Sequence, residues 1–292
     1  MDFSLDANAK VNIGLSVRDK RLDGYHNIES FFATISLADT LSFSKSSEFA
    51  LACSDASLDT GEANTVAKAA RAIENTLGIK ANCRIHIQKR IPMGAGLGGG
   101  SADAAAALVG INRALGLSLS KEQLCGIGLM VGSDVPFFIN GGFAICKSRG
   151  EIITPLGHSL LGGYELLLAM PSIFVPTGAA YALLDDAGLA PIQDFEPVAR
   201  EASKTGKLDF ASLALSNDFE GPIFEKFPLL GKIKESLLVN GSLYASMTGT
   251  GSCVYGIFEA GSPVIDSSMA RLQEKFGPIK THRAVFMVST FQ

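Results

Sequence analysis

The sequence predicts an α/β or α+β fold in two domains, because strand-like and helix-like patterns alternate along its whole length. Its 292 residues correspond to one large domain or two small ones, at roughly 100–200 residues per domain. Hydrophobic residues make up 47% of the chain and charged residues 18%, which supplies a real core and excludes wholesale disorder. Small and glycine residues cluster over residues 157–163. That cluster predicts a boundary between domains 1–158 and 159–292.

The first predicted element is a long strand over residues 5–17. Every odd position there is apolar: Leu5, Ala7, Ala9, Val11, Ile13, Leu15 and Val17. Thirteen residues of strict alternation predict a strand with one buried face and one solvated face. Lys10 and Asn12 then lie side by side on the solvated face. The Asp23-Gly24-Tyr25 sequence follows as a turn signal.

The remaining elements are predicted from periodicity and from start and stop residues. Apolar residues at helical spacing between Asn64 and Gly78 predict a helix that Asn64 caps. Alternation over residues 83–88 predicts a second strand, and Pro92 stops it. Further helices are predicted over 102–115, 121–131, 177–184, 198–205, 232–239 and 263–276, and further strands over 143–146, 165–169, 252–258 and 284–288.

Charge and composition argue against several classes of protein. The 25 basic and 29 acidic residues give a net charge of −4, which is unfavourable for a general nucleic-acid binder. No apolar stretch reaches the ~18 residues of a membrane helix, and residues 1–6 lack the pattern of a signal peptide. The five cysteines contain no CxxC and the four histidines no HxxxH or HxH. This predicts free thiols in a reducing cytoplasm, and it argues against a disulfide framework or a protein metal cage.

A glycine-rich loop carries the clearest functional signal. Five of the ten residues from Pro92 to Ser101 are glycine, between a predicted strand and a predicted helix. Glycine permits positive φ and close backbone approach, and a helix N-terminus adds free N–H groups, so the loop predicts a phosphate site. The letters also fit the dinucleotide fingerprint GxGxxG, or a turn required only for packing. A second glycine cluster at residues 246–254 is equally consistent with a simple hairpin.

Three segments together resemble the motifs of the GHMP small-molecule kinases. They are Ala9-Lys10-Val11-Asn12, the loop from Pro92 to Ser101, and Thr248-Gly249-Thr250-Gly251-Ser252. Asp23-Gly24-Tyr25-His26, the triple glycine before Ser101, and Gly132-Ser133-Asp134-Val135-Pro136-Phe137-Phe138 are similar to the members that act on diphosphocytidyl methylerythritol. The chain departs from the pattern at Asn8, where many relatives have proline, and at Ala102, where they have a second hydroxyl.

The resemblance implies an α+β, two-lobed GHMP kinase fold. The N-terminal lobe would be like domain 2 of ribosomal protein S5, and the C-terminal lobe would be a ferredoxin-like α/β lobe. The implied reaction transfers the γ-phosphoryl group of ATP to the 2-hydroxyl of diphosphocytidyl methylerythritol, on the non-mevalonate route to isoprenoid precursors. The implied cofactor is ATP with its Mg2+. The implied partner is this small molecule, with no nucleic acid and no membrane, and the protein is expected as a monomer or weak homodimer.

The resemblance also implies a role for each matching residue. Asp134 would accept the proton of the acceptor hydroxyl or orient that hydroxyl, and Lys10 would stabilise charge on the moving phosphoryl group. The implied ATP-binding residues are Asn64, Thr65, Pro92, Met93, Gly94, Ala95, Gly96, Leu97, Gly98, Gly99, Gly100, Ser101 and Ala102. The implied substrate-binding residues are Asn12, Tyr25, His26, Arg149, Tyr181, Thr248 and Gly249. His26 would bind the edge of the cytosine ring, and Tyr25 and Tyr181 would pack on the two faces of that ring.

Plainer interpretations of the same residues stay open at this stage. Lys10 is also consistent with a solvated edge lysine, Asp134 with a helix N-cap, and Arg149 with a solvated loop arginine. At the level of function the alternatives are another GHMP kinase for mevalonate-type or amino-acid alcohols, a nucleotide-binding regulator without catalysis, and a Rossmann oxidoreductase. Lys10 together with Asp134 argues against the regulator, and Tyr25-His26 argues against the smaller acceptors.

Overall fold

The computed structural model describes residues 2–288 and 291. The strands are β1 (Phe3–Lys20), β2 (His26–Lys45), β3 (Ala50–Cys53), β4 (Cys83–Gln88), β5 (Phe143–Ser148), β6 (Ile152–Leu156), β7 (Tyr164–Met170), β8 (Tyr244–Met247), β9 (Val254–Glu259) and β10 (Lys280–Val285). The helices are α1 (Thr65–Leu77), α2 (Gly99–Leu115), α3 (Lys121–Val131), α4 (Val135–Asn140), α5 (Thr177–Ala187), α6 (Glu196–Thr205), α7 (Glu220–Lys226), α8 (Pro228–Val239) and α9 (Val264–Phe276).

The strands of the described residues form two sheets. The first has the order β3-β4-β2-β5-β6, with β1 also paired to β2, and the second has the order β10-β7-β9-β8. Helix α2 packs on β1 and β2, and α1, α3 and α4 contact α2. This mixed, two-lobed arrangement confirms the α+β expectation. The change of sheet falls between Leu156 and Tyr164, around the short 3-10 helix His158–Leu161, and the boundary at 158/159 stays a prediction.

The prediction of a solvated face on the first strand is wrong. Asn8, Lys10 and Asn12 are 5%, 4% and 1% exposed, although β1 forms where the alternation predicts it. Register shifts between Asn8 and Lys10 and between Ile13 and Leu15 interrupt the β1–β2 ladder. The glycine loop covers the polar row, since the Lys10 N–H donates to the Leu97 carbonyl at 3.0 Å. Asn8, Lys10 and Asn12 are therefore interior groups, whereas Asp6, near the start of β1, is exposed.

An apolar cluster joins the two sheets. Val11, Ile13 and Phe31 of the first sheet belong to the same buried cluster as Leu168 and Tyr255 of the second. The Tyr255 hydroxyl also donates to the Asn12 carbonyl at 2.6 Å. Ala9, Val11 and Ile13 thus face the core that the two sheets share, whereas Ala7, Leu15 and Val17 lie in a second buried cluster.

Local signals predicted several elements accurately. The Asn64 Oδ1 accepts the Val66 N–H at 2.8 Å, and Gly78 ends α1 at a φ of 68°. Helix α3 has the predicted bounds and begins with a capping box between Ser120 and Gln123. Helix α2 begins at Gly99, three residues before the predicted start, since the triple glycine itself takes helical geometry.

Other elements were missed or displaced. Periodicity in the sequence predicts no element at β2, β3, β6, β8, α4 or α7. Strand β2 is buried on both faces for most of its length, so its apolar and polar residues do not alternate. The last strand is Lys280–Val285, whereas 284–288 was predicted. No helix in the described part of the chain is long and apolar enough to cross a membrane.

Candidate active site

A cavity of about 600 Å³ lies beside the glycine loop, where the two lobes meet. Most of the residues singled out in the sequence line it: Lys10, Asn12, Tyr25, Asn64, Thr65, Pro92, Met93, Gly94, Ala95, Gly96, Leu97, Gly98, Gly99, Gly100, Asp134, Arg149, Tyr181 and Gly249. His26, Ser101, Ala102 and Thr248 lie behind this lining. Residues from β1, the glycine loop, α4, the β5–β6 turn, α5 and the β8–β9 loop thus converge on one cavity.

Lys10 is held in the cavity wall by its neighbours on the sheet. Its ammonium donates to the Asn12 Oδ1 and lies 4.6 Å from the centre of the Phe32 ring. Burial lowers the pKa of Lys10, and the charge of Asp134 opposes that shift. An ammonium so poorly hydrated interacts strongly with any anionic group that enters the cavity.

Asp134 occupies the N-cap position of α4 but makes no side-chain cap hydrogen bond. Its carboxylate makes no hydrogen bond to a described residue. The carboxylate is therefore available for a ligand. Burial raises the pKa of Asp134, and the Lys10 ammonium opposes the rise. A methyl group at Gly150 would lie 3.0 Å from the Asp134 Oδ1, so the β5–β6 turn closely approaches this carboxylate.

The glycine loop has the geometry of an anion site. Gly94, Gly96 and Gly98 have φ values of 65°, 74° and 72°, which side chains rarely tolerate. The first hydrogen bond of α2 runs from the Ala102 N–H to the Gly98 carbonyl at 2.9 Å. The N–H groups of the residues between them precede that bond, so they can bind an anion at the positive end of the helix dipole.

The second glycine cluster packs against the first. A methyl group at Gly96 would lie 1.9 Å from the Thr248 carbonyl oxygen. The Thr248 hydroxyl donates to the Gly96 carbonyl at 3.1 Å, and the Cys253 N–H donates to the Ala95 carbonyl at 3.1 Å. The β8–β9 loop therefore supports the shape of the glycine loop directly.

Asn12 connects β1 to the same late loop. Its Oδ1 accepts hydrogen bonds from the Lys10 ammonium and from the Gly249 N–H at 2.9 Å, and its Nδ2 donates to the Ser30 hydroxyl at 3.0 Å. One amide hydrogen is left over. The role of Asn12 toward an acceptor stays a prediction, and its internal contacts alone account for its burial.

Aromatic rings line the far end of the cavity. His26 stacks on Tyr181 with ring centres 5.0 Å apart, and its Nε2 bonds the Asp185 Oδ1 at 2.8 Å. Tyr25 is 55% exposed, with the Arg149 guanidinium 5.0 Å from its ring centre. Burial raises the pKa of Tyr181 to about 12, so the phenol stays neutral. Tyr25 and Tyr181 both line the cavity, whereas His26 lies behind the lining, against Tyr181.

Arg149 and Asn64 are partly committed to local structure. The Arg149 backbone N–H donates to the Glu151 Oε2 at 2.7 Å, while the buried guanidinium Nε makes no hydrogen bond to a described residue and lies 3.7 Å from the Glu151 Oε1. The Asn64 amide caps α1 and also donates to the Asp59 carbonyl at 2.7 Å. The Thr65 hydroxyl donates to the Gly100 carbonyl at 2.7 Å, which ties α1 to the start of α2.

Lys89 and Asp103 are among the cavity residues that the sequence did not predict as site residues. Lys89 and Asp103 flank the glycine loop and line the cavity, with the Lys89 ammonium 2.8 Å from the Asp103 Oδ2. The only sequence signal was the placement of one basic and one acidic residue at the two ends of the loop. Over residues 2–288 and 291, no cluster of three or more His, Cys, Asp or Glu side chains is arranged to hold a metal ion.

Comparisons with known proteins agree with this geometry. Residues 64–142 match the family described as "GHMP kinases N terminal domain", and residues 192–267 match "GHMP kinases C terminal". A 4-diphosphocytidyl-2-C-methyl-D-erythritol kinase from Chlorobium phaeobacteroides (strain BS1) is 38% identical over 88% of this chain and 89% of its own. The enzyme of that name from Prosthecochloris aestuarii is 35% identical over 99% and 98%. A crystal structure of 4-(cytidine 5'-diphospho)-2C-methyl-D-erythritol kinase superposes with a TM-score of 0.76 at 30% identity, covering 97% of this chain and 99% of its own.

Proposed function

The chain belongs to the 4-diphosphocytidyl-2-C-methyl-D-erythritol kinases of the GHMP family, and on that premise we propose that it phosphorylates the 2-hydroxyl of this acceptor with ATP. The product is an intermediate on the non-mevalonate route to isoprenoid precursors. The observation that carries the proposal is the single cavity that gathers Lys10, Asp134, the glycine loop and the Tyr25–Tyr181 end.

In the proposed reaction the acceptor 2-hydroxyl attacks the γ-phosphorus of ATP. A bond forms between that oxygen and phosphorus, and the bond to the β–γ bridging oxygen breaks, so that ADP leaves. The hydroxyl proton passes to the Asp134 carboxylate. A raised pKa suits Asp134 to this role, because a more basic carboxylate holds the proton better.

Lys10 stabilises the charge that spreads over the phosphoryl oxygens during transfer. Its ammonium is buried, so the attraction is stronger than it would be in water. The N-terminus of α2 holds the phosphates of ATP, with Mg2+ entering as part of the MgATP substrate. Asn64 and Thr65 border the adenine, and Ser101 and Ala102 extend the phosphate loop behind the cavity lining.

The cytidine end of the acceptor occupies the aromatic end of the cavity. The cytosine ring packs between Tyr25 and Tyr181, which requires Tyr181 to share or give up its stacking on His26. His26 binds the cytosine edge, and Arg149 contacts the diphosphate through its guanidinium, whose buried Nε makes no hydrogen bond to a described residue. Thr248 and Gly249 shape the acceptor side together with Asn12.

Three further properties belong to the same proposal. Cysteines 53, 83, 125, 146 and 253 are all free thiols, which supports a reducing cytoplasmic location. We propose a monomer or weak homodimer, and the division into domains 1–158 and 159–292. Each can be tested separately from the activity.

The test is ADP release by the purified protein with ATP and Mg2+, with and without the acceptor. We expect ADP formation that depends on 4-diphosphocytidyl-2-C-methyl-D-erythritol and a product phosphorylated at its 2-hydroxyl, located by phosphorus NMR. Mevalonate and homoserine serve as control alcohols. Turnover with either control and none with the cytidyl acceptor would contradict the proposal.

A further inference from the structure

Three buried charged side chains meet between the two ends of the glycine loop. The Lys89 ammonium donates to the Asp103 Oδ2 at 2.8 Å and to the Asp39 Oδ2. The side chains of Asp39, Asp103 and Lys89 are 0%, 4% and 8% exposed. Lys89 follows β4 and precedes the loop, Asp103 lies in the second turn of α2 after the loop, and Asp39 lies on β2.

Asp39 holds the start of the loop. Its Oδ1 accepts the Arg90 N–H and, at 2.9 Å, the Ile91 N–H, while its Oδ2 binds Lys89. Both oxygens of Asp39 therefore bind the three residues before Pro92. Its removal would leave buried N–H groups unpaired, so Asp39 is a structural acceptor.

Asp103 connects the end of the loop to that start. Its Oδ2 binds Lys89, whereas its Oδ1 is buried and has no partner among the described residues. Asp103 and Lys89 both line the 600 Å³ cavity beside Gly99 and Gly100. The glycine loop therefore begins just after Lys89 and is followed by Asp103, which binds the same lysine.

The charges of this cluster do not balance when all three groups are ionised. Burial raises the pKa of Asp103 to about 7, the Lys89 ammonium opposes the rise, and the Asp39 charge adds to it. An apolar residue at position 103 would avoid the free-energy cost of burying a second carboxylate. A buried ion pair is also weak evidence for stability. The cluster therefore calls for a role other than stabilising the lobe.

We propose that Asp103 is a positioning residue for the nucleotide. Its hydrogen bond to Lys89 holds the end of the glycine loop against the start of the loop. This contact sets the shape of the phosphate site at the N-terminus of α2. The inference rests on the proposed function, which places the phosphates of ATP at this loop. It adds a buried clamp, Asp39–Lys89–Asp103, to the residues that act on the nucleotide. In the proposed function the acceptor binds at the other end of the cavity. The clamp should therefore affect the binding of ATP and not that of the acceptor.

The experiment compares Asp103→Ala and Asp103→Asn with the wild-type protein. Asp103→Ala removes the hydrogen bond to Lys89 and leaves Lys89 paired with Asp39, so no buried charge is left unpaired. We expect KM for ATP to rise about tenfold or more, because small displacements of a binding loop are costly. The KM for the acceptor should change less than about twofold. Asp103→Asn keeps an oxygen for Lys89 and should restore KM for ATP to within about threefold of wild type.

Glu74→Gln is the matched control. Glu74 is also a buried carboxylate of the first lobe, bonded to Arg71 and to the Ala81 N–H, but it does not line the cavity. It should lower the midpoint of thermal unfolding without moving KM for ATP. The dissociation constant of ATP, measured by calorimetry, repeats the comparison without turnover.

The outcomes separate the two proposals. If the wild-type protein binds ATP but does not turn over the acceptor, the proposed acceptor is wrong and the clamp is still decided by calorimetry. If Asp103→Ala does not fold, Asp103→Leu replaces it, since leucine fills the same space. An ATP affinity within twofold of wild type in the folded variant, or an equal loss of affinity for both substrates, would overturn the clamp.

Discussion

At the scale of single residues, the site depends on two buried charges of opposite sign. Burial raises the pKa of Asp134 and lowers that of Lys10, and each charge moderates the shift of the other. Both shifts have the same cause, which is the loss of water around the ionised form. A carboxylate that is a better base and an ammonium with little water around it suit proton removal and charge stabilisation, respectively.

Replacing Asp134 with asparagine should separate chemistry from binding. We expect Asp134→Asn to lower kcat by a factor of ~10² or more with KM for ATP nearly unchanged, because the amide cannot take the hydroxyl proton. Steady-state ADP release measures both constants. Asp186→Asn, at an exposed position of α5, is the control. Unimpaired turnover in Asp134→Asn would remove Asp134 from the mechanism.

The pH dependence of kcat/KM should report the same pair. Asp134 must be ionised, so activity falls as pH drops through its pKa, at a midpoint above the ordinary 3.8. Lys10 must be protonated, so activity also falls as pH rises through its pKa, at a midpoint below the ordinary 10.5. The profile is therefore bell-shaped and narrower than ordinary pKa values would give.

Lys10→Arg provides the control for the alkaline side of that profile. A guanidinium does not lose its proton in this range, so the fall at high pH should move upward or disappear even if the maximum rate is lower. An alkaline limb that is identical in the variant would assign that limb to another group.

At the scale of elements, two loops from different lobes together shape the proposed phosphate site. The glycine loop precedes α2, and the β8–β9 loop lies against it through Thr248. The turn requires a positive φ at Gly96, and the neighbouring Thr248 carbonyl leaves no room for a side chain there. Either requirement alone would select glycine.

Gly96→Ala tests the contact between the loops. We expect KM for ATP to rise about tenfold or more, because a methyl group cannot fit 1.9 Å from the Thr248 oxygen and one loop must move. Gly116→Ala is the control, since Gly116 also has positive φ (63°) but no atoms within 4 Å of the added carbon. That control should lose about 1 kcal/mol of stability from backbone strain and keep its affinity for ATP. Equal affinities in the two variants would show that the contact does not shape the site.

At the scale of the whole molecule, the lobes share a core. Ile13 of the first sheet and Tyr255 of the second are fully buried in one apolar cluster. The cavity residues come from both sides of this core, with Lys10 on β1 and Gly249 after β8. Packing between the sheets therefore sets the distance between the two sides of the cavity.

Ile13→Ala should destabilise the protein as one unit. We expect the free energy of unfolding to fall by about 2–5 kcal/mol through the cavity it leaves, in a single transition. Urea unfolding followed by circular dichroism and by intrinsic tyrosine fluorescence measures this. Leu22→Ala, at an exposed turn position, should leave the midpoint unchanged. Two separated transitions in Ile13→Ala would mean that the lobes fold independently.

Features set by local geometry were predictable from the sequence. The caps of α1 and α3, the β1 alternation and the positive φ of the glycine loop depend on residues within a few positions of each other. Motif resemblance also supplied Lys10 and Asp134. Strand β2 was missed because it is buried on both faces, and no helix was predicted over α4, although Asp134 was consistent with a helix N-cap.

What the sequence determined by itself is the set of elements with strong local signals, the glycine loop with its positive φ angles, and the chemical types of the residues around the cavity. Only the tertiary structure decided that the polar row of β1 is buried, that His26 stacks on Tyr181, and that Asp39, Lys89 and Asp103 form one cluster. The physical reason is range. Capping, periodicity and backbone conformation act between near neighbours along the chain, whereas burial and charge pairing depend on which distant segments the fold brings together.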